Sequence, residues 1–206
     1  WAGVDPDNGD PLWYRNVKDA QGNVTGRTTT NDYAQADYYY VDKSSLPKVY
    51  GGFNTAFSYK GFELSAIFAY SIGGYIVDRD VTMLWSNGSN PGRAWSTEIL
   101  KRWTPENRDT DVPALKTVSN NWNSNSTRNL FNNSYLRMKN ITLSYNFPQP
   151  LIKKISLSSL QLFVQADNLL TFSKNQGMDP EQGITGLTYY RYPAMRSISG
   201  GLNVSF

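Results

Sequence analysis

VYGGFNTAFSYKGFELSAIFAYSI, Val49 to Ile72, alternates apolar and polar residues on both sides of a short break. In Val49–Tyr59 the apolar set is Val49, Phe53, Phe57 and Tyr59, opposed by Asn54 and Ser58. In Phe62–Ile72 it is Phe62, Leu64, Ala66, Phe68, Tyr70 and Ile72, opposed by Glu63, Ser65 and Ser71. A period of two over this length is the signature of strands, and Lys60-Gly61 between them reads as a tight hairpin turn.

The same rhythm returns three times. Ile141–Phe147 carries Ile141, Leu143, Tyr145 and Phe147 on one side and Thr142, Ser144 and Asn146 on the other. This strand starts near Tyr135, but Leu136 and Met138 are out of phase, which a bulge near Lys139 would explain. Leu160–Phe172 sets Leu160, Leu162, Val164, Ala166, Leu170 and Phe172 against Gln161, Gln165 and Asp167. The last strand carries Ile198, Gly200, Leu202, Val204 and Phe206, with Asn203 opposed.

The links between strands are unequal. Tyr59–Phe62 and Phe147–Leu160 are short, whereas Gly73–Ser134 and Ser173–Ala194 are long, and the first 47 residues read as a third irregular stretch. Placed on an antiparallel sheet, the short links fall at one end and the long ones at the other. One loop helix is expected after Asn90, with Asn90 as cap, Pro91 in its first turn and Trp95, Ile99 and Trp103 along one face, ended by Thr104-Pro105.

Composition removes whole classes of chemistry. The 206 residues include no Cys and no His, which excludes a Ser-His-Asp triad, a thiol nucleophile and a His or Cys zinc site. Lys and Arg number 20 against 17 Asp and Glu, a net +3 without a basic stripe, so nucleic acid is not expected as a partner. Asp5, Asp7 and Asp10, with Asn8, are a weak Ca²⁺ candidate that lacks EF-hand spacing. No pair of acids has the setting of a glycosidase, and neither an enzyme nor a cofactor is expected.

Alternation leaves two all-β architectures open. A soluble carbohydrate-binding β-sandwich turns its apolar faces inward; a transmembrane barrel turns them to lipid. Strands of about 11 residues are long enough to cross a membrane when tilted. The aromatics Tyr59, Phe62, Tyr145, Phe147 and Phe206 gather at the short-turn end like an interfacial girdle. The opposite face is polar and mostly uncharged, which suits a watery lumen.

Several long motifs carry a family resemblance. SLPKVYGGFNTAFSYKGFELSAIFAYSIGG (Ser45–Gly74), RWTPENRDTDVP (Arg102–Pro113), NNSYLRMKNITLSYNFPQPLIKKISLSSLQLFVQADNLLTF (Asn132–Phe172) and YPAMRSISGGLNVSF (Tyr192–Phe206) resemble SusC/RagA-type TonB-dependent transporters of Bacteroidetes, as does AGVDPDNGDPLWY (Ala2–Tyr14). The resemblance covers nearly all of residues 1–206. It implies the C-terminal antiparallel strands of a large, 22-stranded outer-membrane barrel, with long extracellular loops.

The same resemblance implies import of oligosaccharides or peptides, a SusD-like lipoprotein outside, TonB engaged through an N-terminal part not in this chain, and membrane lipid around the wall. The chain is expected to be completed by the plug and remaining strands of the same barrel. Leu202, Val204 and Phe206 resemble the C-terminal insertion signal of outer-membrane proteins, which would put the C-terminus on the periplasmic side.

Loop aromatics Trp85, Trp122, Tyr189 and Tyr190 are candidates for substrate or partner contact, whereas Trp95 and Trp103 read as loop packing. Asn54, Glu63, Asn140, Gln161, Gln165, Asp167 and Asn203 are the expected lumen-facing polar residues, mostly plain pore or plug contacts. Lys at Asn54 or Ser144 should disturb folding far less than Lys at Phe57, Phe68, Leu143, Val164 or Leu202.

Overall fold

The computed structural model describes residues 1–206 apart from 86–91, 93, 117–122, 175–178 and 182. Along the chain run β1 (Gly3–Val4), β2 (Pro11–Lys18), β3 (Val24–Thr30), β4 (Val49–Tyr59), β5 (Phe62–Ile72), β6 (Tyr75–Asp78), α1 (Arg79–Leu84), β7 (Leu130–Asn132), β8 (Tyr135–Asn146), α2 (Gln149–Ile152), β9 (Ser159–Ser173), β10 (Leu187–Thr188) and β11 (Ser197–Ser205). The chain divides into two units. One comprises Trp1–Lys43, Val77–Phe131 and Leu187–Tyr190; the other comprises Ser44–Ile76, Asn132–Gly186 and Arg191–Phe206.

The second unit holds the long strands, in the order β11-β9-β8-β5-β4. Every neighbouring pair in it is antiparallel. The β4–β5 hairpin closes through Lys60 at φ 47° and Gly61 at φ 87°, the pair of positive φ values a tight primed turn requires. A Cβ at Gly61 would also meet the carbonyl oxygen of Asn146 at 2.8 Å. The Phe147–Leu160 link is short and contains α2, so both short links lie at one end of the sheet.

Register assigns the faces. Phe57 lies beside Leu64, then Leu143, Val164 and Gly200 across all five strands. On the other face Asn54 lies beside Ile67, Asn140, Asp167 and Ser197. The bulge expected near Lys139 is present: Ile67 pairs with Asn140 and Phe68 with Met138, leaving Lys139 without a partner on β5. The extra residue returns Met138 and Leu136 to the apolar face, beside Phe68 and Tyr70.

The apolar face carries no covering layer among the described residues. Phe57 is 68% exposed, Leu143 49%, Val164 51% and Leu202 62%. A soluble sandwich would cover these same side chains, since their burial is what drives such a fold. Aromatic pairs line the short-turn end of this face, with Phe62 and Tyr145 at 4.5 Å and Tyr145 and Phe147 at 5.0 Å between ring centres.

The first unit departs from two expectations. The opening residues form an antiparallel sheet β1-β2-β3 rather than an irregular stretch. Its β3, VTGRTTT, is almost wholly exposed and has no apolar alternation to read. The expected helix over Asn90–Trp103 is instead a 3₁₀ turn at Thr97–Lys101, capped by Ser96, whose side chain accepts the Glu98 N–H. Trp103 is drawn off any helix by its N–H bond to the Val112 carbonyl. Asn90 and Pro91 lie outside the described residues. The α-helix of this region is α1, capped by Asp78 through the N–H groups of Asp80 and Val81; with α2, the loops hold more than the one helix expected. Here β6 pairs in parallel with β10 through Val77–Leu187 and Asp78–Thr188.

Candidate functional site

The polar face of the long sheet gathers every expected lumen residue. Asn54, Asn140 and Asp167 share one row; Glu63 lies beside Ser144; Gln165 pairs with Thr142; and Gln161 pairs with Asn203. Hydrogen bonds cross the strands along this face. Asn140 Nδ2 donates to Asp167 Oδ1 at 2.7 Å, and Asn203 Nδ2 donates to Gln161 Oε1 at 2.8 Å. Ser197 Oγ donates to Asp167 Oδ2 at 3.1 Å, so Asp167 is spent on holding β11 and β8 to β9. The middle of the face is a shallow depression of about 340 Å³, lined by Glu63, Gln161, Gln165 and Asn203 among others.

Among the residues of this face that the sequence reading passed over, two bear on how its strands and loops are held. Phe163 shares the row of Glu63 and Ser144 and pairs with Gly201. Its ring lies over that glycine, where a Cβ would come within 2.9 Å. The signal was available: an aromatic in polar phase opposite a strand glycine is a known cross-strand fit. The other is Arg137, which the bulge carries onto the polar face beside Ala69 and Thr171. Ser144 also differs from expectation. It is buried rather than exposed, at the lining of the depression, where Gln161 Nε2 donates to its Oγ at 3.4 Å. Asn54 is exposed and remains the tolerant position.

Arg137 is almost wholly buried and makes ion pairs with Asp179 and, at 2.8 Å, Glu181; its Nε donates to Thr171 Oγ1 at 3.1 Å. Lys139 Nζ reaches Glu181 at 2.5 Å. Asp179 also accepts the backbone N–H of Ala194 at 2.6 Å and of Glu181 at 2.9 Å. Burial pushes the Asp179 carboxyl up, but the Ala194 N–H, the Arg137 guanidinium and the Glu181 N–H together hold it below the usual carboxylate range. This cluster fastens the β9–β11 loop to the polar face at the bulge.

In the first unit Trp85 ends α1, with its ring 5.8 Å from Phe131 and the Arg128 guanidinium 4.4 Å from its centre. It is packed rather than presented. Burial pushes the Arg128 guanidinium down to about 10, so it stays charged at neutral pH. Trp103 Nε1 donates to the Pro6 carbonyl at 3.1 Å, in keeping with a packing role. Tyr189 and Tyr190 are exposed, with ring centres 4.1 Å apart, and the Tyr190 N–H donates to the Asp80 carboxylate at 2.9 Å. Trp122 lies outside the described residues.

The Asp5–Asp10 segment uses its oxygens internally. Asp5 accepts from the Asp7 N–H at 2.9 Å and from Asn8 Nδ2 at 3.1 Å, and Asn8 Oδ1 accepts the Asp10 N–H at 2.8 Å. Asp10 pairs with Lys116. These are turn bonds, and among the described residues no three acidic side chains are grouped to hold a metal. The Ca²⁺ candidate is therefore set aside. Leu202 and Val204 stand on the bare apolar face of β11, and Phe206 follows that strand, 93% exposed.

A β-sheet with one bare apolar face, one hydrogen-bonded polar face and short links at one end has the makeup of a membrane barrel wall. Relatives narrow this class. The chain is 32% identical over 166 residues to TonB-dependent receptor P3 of Formosa agariphila, matching 75% of this chain and 16% of that receptor. It is 28% identical over 173 residues to TonB-dependent receptor P26 of the same organism, matching 79% of this chain and 17% of that one. No family model matches the chain. Its fold superposes on the structure of the RagAB peptide transporter with a TM-score of 0.80 and 33% identity, over 100% of this chain and 22% of that one. The "open-open" state of the RagAB peptide importer gives 0.73 at 31% identity, over 100% and 21%.

The chain thus belongs with the SusC/RagA-type TonB-dependent receptors, and its relatives are receptors and transporters rather than enzymes. It spans about a sixth of the length of the curated receptors it matches.

Proposed function

We propose that the five long strands are a stretch of barrel wall in an outer-membrane, TonB-dependent importer of oligosaccharides or peptides. The observation that carries this reading is the bare apolar face of a sheet whose relatives are TonB-dependent receptors. Strands β4 and β11 are the edges of that sheet among the described residues, and lipid offers nothing to their free N–H and C=O groups. Further strands of the same polypeptide would pair with both edges and close a barrel of 22 strands. The plug and the TonB contact would lie in parts of the receptor outside the matched segment.

In this arrangement the short links face the periplasm, where β11 also ends, and the first unit belongs to the outer loops. A SusD-like lipoprotein would cover those loops, as the paired RagAB assembly supports. Asn54, Glu63, Asn140, Gln161, Gln165, Asp167 and Asn203 would face the lumen. Exposed Tyr189 and Tyr190 would offer their rings to substrate or partner.

The test is made on outer membranes of cells expressing the intact receptor. An antibody to β11 should detect a folded band that migrates faster when unheated, and disrupting TonB should stop substrate uptake while leaving that band unchanged. Recovery of the receptor in the soluble fraction would contradict the reading.

A further inference from the structure

The first unit contains a cavity of about 510 Å³, within the size range of small-ligand sites. Its floor is preformed. Trp13 is buried and meets Tyr33 edge-on at 5.2 Å, and the Tyr33 O–H donates to the Asn125 carbonyl at 2.8 Å. At its rim the Arg27 guanidinium lies 4.2 Å from the centre of the Tyr39 ring and 4.9 Å from that of Tyr14. Tyr39 is itself fixed, its O–H donating to Asn16 Oδ1 at 2.9 Å.

Ring faces orient a guanidinium but satisfy none of its five N–H donors. Among the described residues no carboxylate pairs with Arg27. Asp37 lines the same cavity. Its Oδ2 accepts the Asn16 N–H at 2.7 Å, and it too has no cation within ion-pair distance among the described residues. Two opposite charges therefore line one cavity without neutralising each other. Beside them Tyr38 and Tyr40 are 95% and 101% exposed, so two flat aromatic surfaces stand open at its edge.

We propose that this cavity binds a short peptide, its carboxylate on Arg27, its ammonium toward Asp37 and its apolar side chains against Tyr38 and Tyr40. The inference rests on the importer reading above and adds a site and a ligand chemistry to it. A neutral sugar brings neither charge. An acidic sugar would meet Arg27 but leave Asp37 unanswered. A peptide with free termini carries both charges on an apolar frame, which is the complement of this lining.

The experiment is calorimetric titration of the intact, detergent-purified receptor with four probes: a tyrosine-containing tetrapeptide with free termini, its C-terminal amide, its N-acetyl form and a tetramer of galacturonic acid. The free peptide should bind, and amidation or acetylation should each weaken it tenfold or more. In Arg27→Ala the free and amidated peptides should bind alike, and in Asp37→Asn the free and acetylated ones should. Tyr38→Ala with Tyr40→Ala, at two wholly exposed positions, should weaken the free peptide several-fold without touching the fold. Equal binding of free and amidated peptide to the unaltered receptor would overturn the proposal. So would galacturonate binding as tight as the peptide's, or no binding by a receptor that still inserts and imports. A receptor that fails to insert in the outer membrane would instead overturn the importer reading itself.

Discussion

Arg137 shows how one side chain can fix a loop. It is almost wholly buried, and its partners Asp179 and Glu181 both come from the β9–β11 connection. Removing one member of a buried ion pair leaves the others without compensation, at a cost of about 3–5 kcal/mol. Arg137→Ala should therefore lower stability by that order in denaturant titration of the refolded receptor, and should expose the loop to protease. Acid should do the same more gradually. The folded Asp179 carboxyl lies below its ordinary value, so the bonds that depress it are fully present above about pH 4, the ordinary aspartate range. They are lost as pH falls through the folded value. Protease protection of the loop should hold from pH 7 to pH 5 and fail only in stronger acid; loss already at pH 5 would contradict this assignment. The role of Arg137 was hard to read in advance, because its face is decided by a bulge two residues away and its partners lie about forty residues along the chain.

At the scale of elements, strands with regular apolar alternation were legible in the sequence. The limits of β4 and β5 coincide with the pattern, and the phase slip at Leu136 and Met138 marked the bulge. The β2–β3 hairpin was not legible, because β3 is polar and exposed along nearly its whole length and so leaves no period to detect. The loop helix failed for a different reason. Residues four apart implied a face, but Ser96 supplies a nearer cap and Trp103 is bound elsewhere, which leaves a single 3₁₀ turn. The β4–β5 turn depends on its glycine. Gly61→Ala would force a Cβ into the left-handed region and against the Asn146 carbonyl, at a cost of about 1–2 kcal/mol before that clash is counted. The midpoint of chemical unfolding should fall accordingly, whereas Lys60→Asn, which suits a positive φ, should not lower it.

For the whole molecule the question is which medium each face meets. If lipid covers the apolar face, Lys at Phe57, Phe68, Leu143, Val164 or Leu202 should cost roughly 2–4 kcal/mol near mid-membrane, and Asn54→Lys on the polar face well under half of that. Refolding into vesicles with denaturant titration reads these differences, and tolerance at all five apolar positions would be inconsistent with a membrane wall. The division into two faces was visible in the sequence from the alternation alone, but its direction was not, because a sandwich and a barrel share the same pattern. Exposure of the apolar set, together with the likeness to TonB-dependent receptors, is what favours lipid.

The absence of cysteine from this chain makes the most direct measurement simple. Single nitroxide labels would be placed through Leu143→Cys and Val164→Cys on the apolar face, and through Asn54→Cys and Gln165→Cys on the polar face. They would be carried in the intact receptor, freed of any other cysteine and reconstituted in bilayers. Power-saturation spectra should show the first two labels relaxed by oxygen and shielded from a water-soluble nickel complex, with the order reversed for the second two. Equal access of the nickel complex to both faces, or shielding of the polar face alone, would contradict a lipid-facing wall.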